Sequence, residues 1–364
     1  MKTVWMVLIQ SVCVFSFGAF SARASAIAIP TLYVIHIIPG DKANYTVSKE
    51  INDIAKITNV AISDFRTKHP TCRFSQDLTF KTGSENELFN KVNFVSKSPG
   101  RKIAVGFSRS SLARVAAKAS QGSDLIGISI GASADDLKNL NSNFISMASP
   151  WSEQWREIKT KMQTLACKPD STLVLGDVRD SYSFNFKKAA ANAGFKSLLN
   201  SDFTESKEVF KSRLKHSDCV FLAMNMSTSH EFLSILMSEK WQGSIFGTGD
   251  WFFYSGELAE LVQNSNFTAK TNIFVPTGWD QTANPKSIKM SNYLSKVLSH
   301  KVEPNGVYSY DAITIALGGL CLGTDPLSYN SEELKKLSLI KNYTGMSLGG
   351  NFLSPVRLVT FHGK

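Results

Sequence analysis

The residues able to do chemistry in this chain gather in a few short segments. Gly127-Ile128-Ser129-Ile130-Gly131 fits G-x-S-x-G, the pattern that sets a nucleophilic serine on a tight strand-to-helix turn in hydrolases. Here Ser129 lies inside the apolar run Leu125 to Ile130, and the helix signal comes only at Ser133, so its hydroxyl is expected within a strand. No HGGG-type segment accompanies it, and His216, His230, His300 and His362 have no neighbourhood that marks a general base. A serine hydrolase using Ser129 is therefore the remote alternative, because pentapeptide matches arise often by chance. There is no H-E-x-x-H, P-loop, C-x-x-C or dinucleotide-type G-x-G-x-x-G after a strand, so no metal and no cofactor is expected.

Two serine-bearing turns point elsewhere. Ser110 and Ser111 follow the apolar run Lys102 to Phe107 and open a helical pattern; Gly131, Ala132 and Ser133 follow Leu125 to Ile130 and are expected to open another. Backbone N–H groups, hydroxyls and the positive end of a helix together favour an anion such as a carboxylate. The same residues also have a plain structural reading. Ser133-Ala134-Asp135-Asp136 is a capping-box-like start, and Ser110 can be an ordinary N-cap. A cap can also serve a ligand, since the helix end it covers faces the cleft.

Such turns need strands to present them, and the chain supplies a regular alternation. Apolar β-type runs at Leu32–Ile38, Lys102–Phe107 and Leu125–Ile130 interleave with helical patterns at Val47–Arg66, Glu87–Lys97 and Ser110–Ala119. A second series begins near Pro150. Its strands are Thr172–Leu175, Lys196–Leu199, Cys219–Ala223 and Ser244–Phe246, and its helices are Glu153–Leu165, Phe184–Ala193, Lys207–Lys215 and Ser229–Ser238. The run Asn272–Pro276 leads to two more helices, Pro285–Leu298 and Tyr308–Leu322. This is an α/β chain of parallel sheets with crossover helices, and ligands of such sheets bind beyond the carboxyl ends of the strands.

Lys2, the apolar run Val4 to Phe20 and the small-residue tail ending at Ala24 or Ala26 read as a cleavable signal peptide over 1–26. About 340 residues remain, enough for two domains. At 43% hydrophobic and 19% charged, the composition is globular rather than disordered. The formal charge of +10 comes without basic runs or aromatic-basic interleaving, so nucleic acid is not expected as a partner. Outside the signal stand Cys72, Cys167, Cys219 and Cys321, which allow three pairings. Cys167 and Cys219 each precede a strand-like run and are the first pair expected.

The stretch 101–137, RKIAVGFSRSSLARVAAKASQGSDLIGISIGASADDL, resembles the type I periplasmic binding proteins of the leucine/isoleucine/valine-binding family. Downstream, SPWSEQWREI, STLVLGDVRDSYSFNFKKAAANAGF, DCVFLAMNMS, IFGTGDWF, VYSYDAITIALGGL and NYTGMSLGG are similar to that family's successive landmarks, in order, over nearly the whole mature chain. The resemblance implies two Rossmann-like lobes, 27–148 with 278–342 and 149–277 with 343–364, joined by three hinge crossings near Ser149, Thr277 and Tyr343. It implies a monomeric, exported periplasmic protein, not an enzyme, that closes around an amino acid or related carboxylate. Its partner would be the membrane permease complex of an ABC transporter, or, as an alternative, a membrane receptor in a sensory version of the same fold.

By the same resemblance, Ser110 and Ser133 match hydroxyl contacts to the ligand carboxylate and Gly131 a main-chain contact. The acid that the family uses for the ligand ammonium at the start of the second lobe is replaced here by Trp151, whose ring would suit stacking or simply cover the hinge. The family's second-lobe aromatic is replaced by Asn225. Asp250, in Gly247-Thr248-Gly249-Asp250, matches the other ammonium-binding acid, and Tyr45 is a candidate for the ligand wall.

Overall fold

The computed structural model describes residues 29–40, 45–177, 180–200, 206–263, 270–279, 285–322, 326–328 and 356–362. The expected signal peptide and the expected third crossing near Tyr343 lie outside them. Two parallel-rich sheets organise the chain. The first contains β1 (Thr31–Ile38), β2 (Ser75–Thr82), β3 (Lys102–Gly106), β4 (Ile126–Ser129) and β5 (Phe144–Ser146), in the order β2-β1-β3-β4-β5 and all parallel. The second contains β6 (Thr172–Gly176), β7 (Ser197–Asn200), β8 (Cys219–Ala223), β9 (Ser244–Phe246), β10 (Asn272–Thr277) and β11 (Arg357–His362), in the order β11-β10-β9-β8-β6-β7. Only β11 runs antiparallel among these pairings, against β10.

Strands with helices on both faces must be apolar on both. In β1, Leu32 and Val34 face α1 (Tyr45–Lys68) and α11 (Pro304–Leu322), beside α10 (Pro285–Leu298), while Ile35 and Ile37 join α2 (Glu85–Ser96), α3 (Ser110–Ala119) and the short α4 (Leu137–Leu140). The second sheet repeats the plan. Val174, Phe221, Phe246 and Phe274 are buried against α5 (Trp151–Thr164) and α6 (Ser181–Asn192). Leu175, Val220, Leu222 and Ile245 pack against α7 (Ser206–Leu214), α8 (Met226–Ser238) and α9 (Ser255–Gln263).

The chain passes from the first sheet to the second between β5 and α5, and returns between β10 and α10. The two disulfides follow the same division. Cys167–Cys219 joins the turn after α5 to β8, with Cα atoms 5.8 Å apart, and Cys72–Cys321 joins the β2 approach to the end of α11 at 5.5 Å. The first is the pair expected from sequence.

Several elements differ from the sequence reading, each for a visible reason. β2 is SQDLTFKT, a half-exposed edge strand too polar to signal itself, and β11 is likewise an edge. The helix expected to open at Ser133 is absent. Residues 131–136 form an irregular turn and only the single turn α4 follows. Arg114 Nε holds both Asp136 carboxylate oxygens at 3.0 Å and Trp151 N–H donates to the Ser133 carbonyl at 2.9 Å; the short α4 starts instead with Asp136 at its N-cap, without a side-chain cap bond.

Candidate ligand-binding cleft

A cavity of about 260 Å³ opens between the two sheets, at the carboxyl ends of their strands. From the first sheet's side, Ser108, Arg109, Ser110 and Ser111 line it after β3, and Gly131 and Ser133 after β4. The opposite side is Gln154 on α5, Asp180 and Tyr182 after β6, Asn225 after β8, and Gly249 with Asp250 after β9. The two passages between the sheets form the floor through Ala148, Ser149, Pro276, Thr277 and Gly278, and Tyr308 of α11 completes it.

Backbone geometry builds the first wall. Gly106 (φ 149°) and Phe107 (φ 58°) both adopt conformations that L residues rarely take, and together they throw the chain off β3 into the Ser108–Ser111 turn. Arg109, extended at φ −116°, ψ 150°, occupies the N-cap of α3 without a side-chain cap bond, so Ser110 is the first helical residue rather than the cap. The Ser110 hydroxyl accepts instead from Ser133 N–H at 3.2 Å, tying the two serine turns together. Gly131 permits their close approach, since a Cβ there would stand 2.5 Å from the Ser108 carbonyl oxygen.

Ser129 has no access to this space. It is fully buried, its hydroxyl donates to the Phe107 carbonyl at 2.7 Å and accepts from Ala132 N–H at 2.9 Å, and it therefore braces the two turns from behind. This geometry overturns the nucleophile reading of that serine. Ala132 is likewise buried in the core and does not line the cavity.

Side chains that cap helices build the second wall. Asp180 accepts from Tyr182 N–H at 3.1 Å and Ser183 N–H at 3.4 Å at the start of α6. Asn225 accepts from Thr228 N–H at 2.9 Å at the start of α8. Asp250 accepts from Met226 N–H at 3.1 Å. Gln154 spans the site: its Oε1 accepts from Tyr182 Oη at 2.8 Å and Gly249 N–H at 3.1 Å, and its Nε2 donates to the Ser149 carbonyl at 2.9 Å.

Charge is concentrated where the walls meet. Burial raises the Asp250 carboxyl above its ordinary value, opposed by the Met226 N–H and the Arg109 guanidinium and assisted by Asp180. Glu50 of α1 is raised for the same first reason, with Arg109 and the Ser108 side chain lowering it and Asp250 raising it. Behind them His36 is fully buried and held down at about 3 by burial and then by Arg109. Its 3.6 Å contact with the Glu50 carboxylate is therefore not an ion pair at neutral pH.

Of the residues singled out from sequence, Ser110, Ser111, Gly131, Ser133, Asn225 and Asp250 come together at this cavity. Trp151 does not. It opens α5 directly after Pro150, and its ring turns onto Phe186 at 5.9 Å between centroids, which makes it a packing residue of the second sheet. Tyr45 opens α1, but its side chain lies outside the described residues. The sequence reading missed Arg109, Gln154, Asp180 and Tyr182. Among the described residues no group of three His, Cys, Asp or Glu side chains is placed to hold a metal, and no helix is long and apolar enough to cross a membrane.

Two three-layered α/β lobes with a polar cleft between them constitute the type I periplasmic binding protein fold. Solved structures that share it include an ABC transporter substrate-binding protein from Desulfitobacterium hafniense in complex with Leu (TM-score 0.67, 11% identity, 92% of this chain and 98% of that one). The branched-chain amino acid transporter substrate-binding protein LivJ from Streptococcus pneumoniae, in complex with isoleucine, gives 0.69 at 13% identity over 92% and 96%. A solute-binding protein from Rhodopseudomonas palustris in complex with 3,4-dihydroxybenzoic acid gives 0.60 at 13% over 80% of each chain. At these identities the likeness is one of fold. No protein-family model and no curated protein matches the sequence.

Proposed function

We propose that the mature chain is an exported, periplasmic solute-binding protein, monomeric and non-enzymatic, that closes around an amino acid or related small carboxylate and delivers it to the membrane permease complex of an ABC-type transporter. The lobes would be 27–148 with 278–342 and 149–277 with 343–364, after removal of a signal peptide over 1–26. The observation that carries this reading is the cavity itself, because its two walls have opposite chemistry and belong to different sheets. The α3 end with Ser110, Ser111 and Ser133 suits a carboxylate, and each charge-assisted bond there contributes about 1.5 to 3 kcal/mol. Asp250 suits an ammonium. A ligand that bridges the two walls stabilises the closed arrangement over the open one by its contacts to the far lobe.

A thermal-shift screen of the mature protein against amino acids and small carboxylates tests this. A saturating ligand at about 100 times its Kd adds about 2.7 kcal/mol of stability. The expected result is a shift with a small carboxylate-bearing compound that disappears in Ser110→Ala and in Asp250→Asn. Absence of a shift with every such compound overturns the reading.

A further inference from the structure

One residue of the first wall breaks the local rule of its position. Arg109 is the N-cap of α3, with the extended backbone of that position (φ −116°, ψ 150°), and its carbonyl accepts a helical bond from Ala113 N–H at 2.9 Å. N-caps favour short side chains that accept a bond from the first turn, and the positive end of a helix disfavours a cation. Arg109 supplies no cap bond and adds a full positive charge to that end. This choice costs the fold stability, and functional sites are where a chain keeps such costs.

The surroundings show where that charge acts. Arg109 lines the cavity between Ser108 and Ser110 and is exposed there, whereas Ser108 beside it is only 5% exposed. From this place its field reaches both walls: it lowers Glu50 of its own lobe and Asp250 of the other, and it helps to keep His36 neutral. Among the described residues its guanidinium has no hydrogen bond or ion pair. A fork of donors thus stands at the opening where the start of α3 meets Ser110, Ser111 and Ser133.

Building on the solute-binding reading above, we infer that Arg109 is a ligand-binding residue that grips the ligand carboxylate through two parallel N–H···O bonds, so that the cleft demands a full negative charge and refuses the uncharged amide of the same compound. A carboxylate there meets in one place the guanidinium, the serine hydroxyls and the N–H groups of the α3 first turn, which have no partner within the helix. It also offsets the charge that Arg109 places on the helix end, so the ligand relieves a cost that the empty site carries. The planar fork matters as well as the charge. A lysine ammonium would supply the charge without the paired geometry.

Titration calorimetry of the mature wild type, Arg109→Gln and Arg109→Lys tests this with the common amino acids, acetate, benzoate and succinate, each measured beside its carboxamide. The expected result is that the best-binding acid exceeds its own amide by about 100-fold in the wild type, and that Arg109→Gln removes about 100-fold of the acid's affinity and narrows that gap. Arg109→Lys should recover part of the loss and remain about tenfold below the wild type. An amide that binds the wild type as tightly as its acid, a loss under about tenfold in Arg109→Gln, or an equal loss for acid and amide overturns the inference and leaves the solute-binding reading intact. Should Arg109→Gln not fold, Arg109→Lys decides: a loss of about tenfold or more with an unchanged urea midpoint supports the fork, and a smaller one overturns it. Failure of every acid and amide to bind the wild type removes the inference together with the reading beneath it.

Discussion

The two walls of the cleft reach the same end by different means. On the first lobe the wall is shaped by backbone: Gly106 and Phe107 at positive φ, Gly131 against Ser108, and two serine turns joined by one hydrogen bond. On the second it is side chains already occupied as helix caps, namely Asp180, Asn225 and Asp250. A wall made of backbone tolerates changes of side-chain chemistry but not of volume at its glycines. A wall made of capping side chains, two of them carboxylates, tolerates small changes of shape but responds to charge and pH.

The largest expected effect lies behind the first wall. The folded His36 pKa, about 3, is below its ordinary value of 6.5, so the unfolded chain takes up the proton first. The stability that neutral His36 protects is complete above about pH 6.5 and is lost as pH falls toward 3, by an amount of order 4 kcal/mol. Urea unfolding between pH 7 and 4 should show about 3 kcal/mol of that loss in the wild type and a much shallower one in His36→Gln. Equal acid slopes would remove His36 from the account.

Next comes Gly106→Ala. The added Cβ would stand 2.0 Å from the Ile35 carbonyl oxygen at a φ of 149°, so backbone must move. A destabilisation of roughly 3 kcal/mol by urea unfolding, with ligand response lost, is the outcome that fits a backbone-built wall. A change under about 1 kcal/mol would show that the turn relaxes freely.

The smallest expected effect is on the second wall. Asp250 is raised by burial, so the folded protein binds its proton more tightly than the unfolded chain, and ionising it costs stability as pH rises from 3.8 through the raised value. Asp250→Asn keeps an acceptor for Met226 N–H and removes that cost. The unliganded variant should therefore be the more stable protein at pH 7, and the difference should shrink to nothing as pH falls below 3.8. A variant less stable than wild type at pH 7 would mean that the carboxylate is needed for the cap itself.

Much of this was legible in the sequence because buried parallel strands write themselves as apolar runs. β8 and α3 fall where the pattern put them, and the serine turns follow from strand-then-helix order. The same order applied to β6 leads to Asp180 and Tyr182, and Arg109 sits inside the turn already recognised. No motif marks these three residues; only their place after a strand does. Trp151 illustrates the converse. Its place where the chain passes between the sheets is readable, but the direction of its ring depends on Phe186, which comes 35 residues later and across a helix interface. Ser133 failed as a helix start because its carbonyl and Asp136 were claimed by Trp151 and Arg114, contacts that no local pattern encodes.

The disulfides have a mechanical consequence. Cys72–Cys321 closes only within the first lobe and Cys167–Cys219 only within the second. Each cross-link ties one sheet to its own helices without bolting it to the other, so oxidation adds rigidity within each wall of the cleft and places no covalent tie across it.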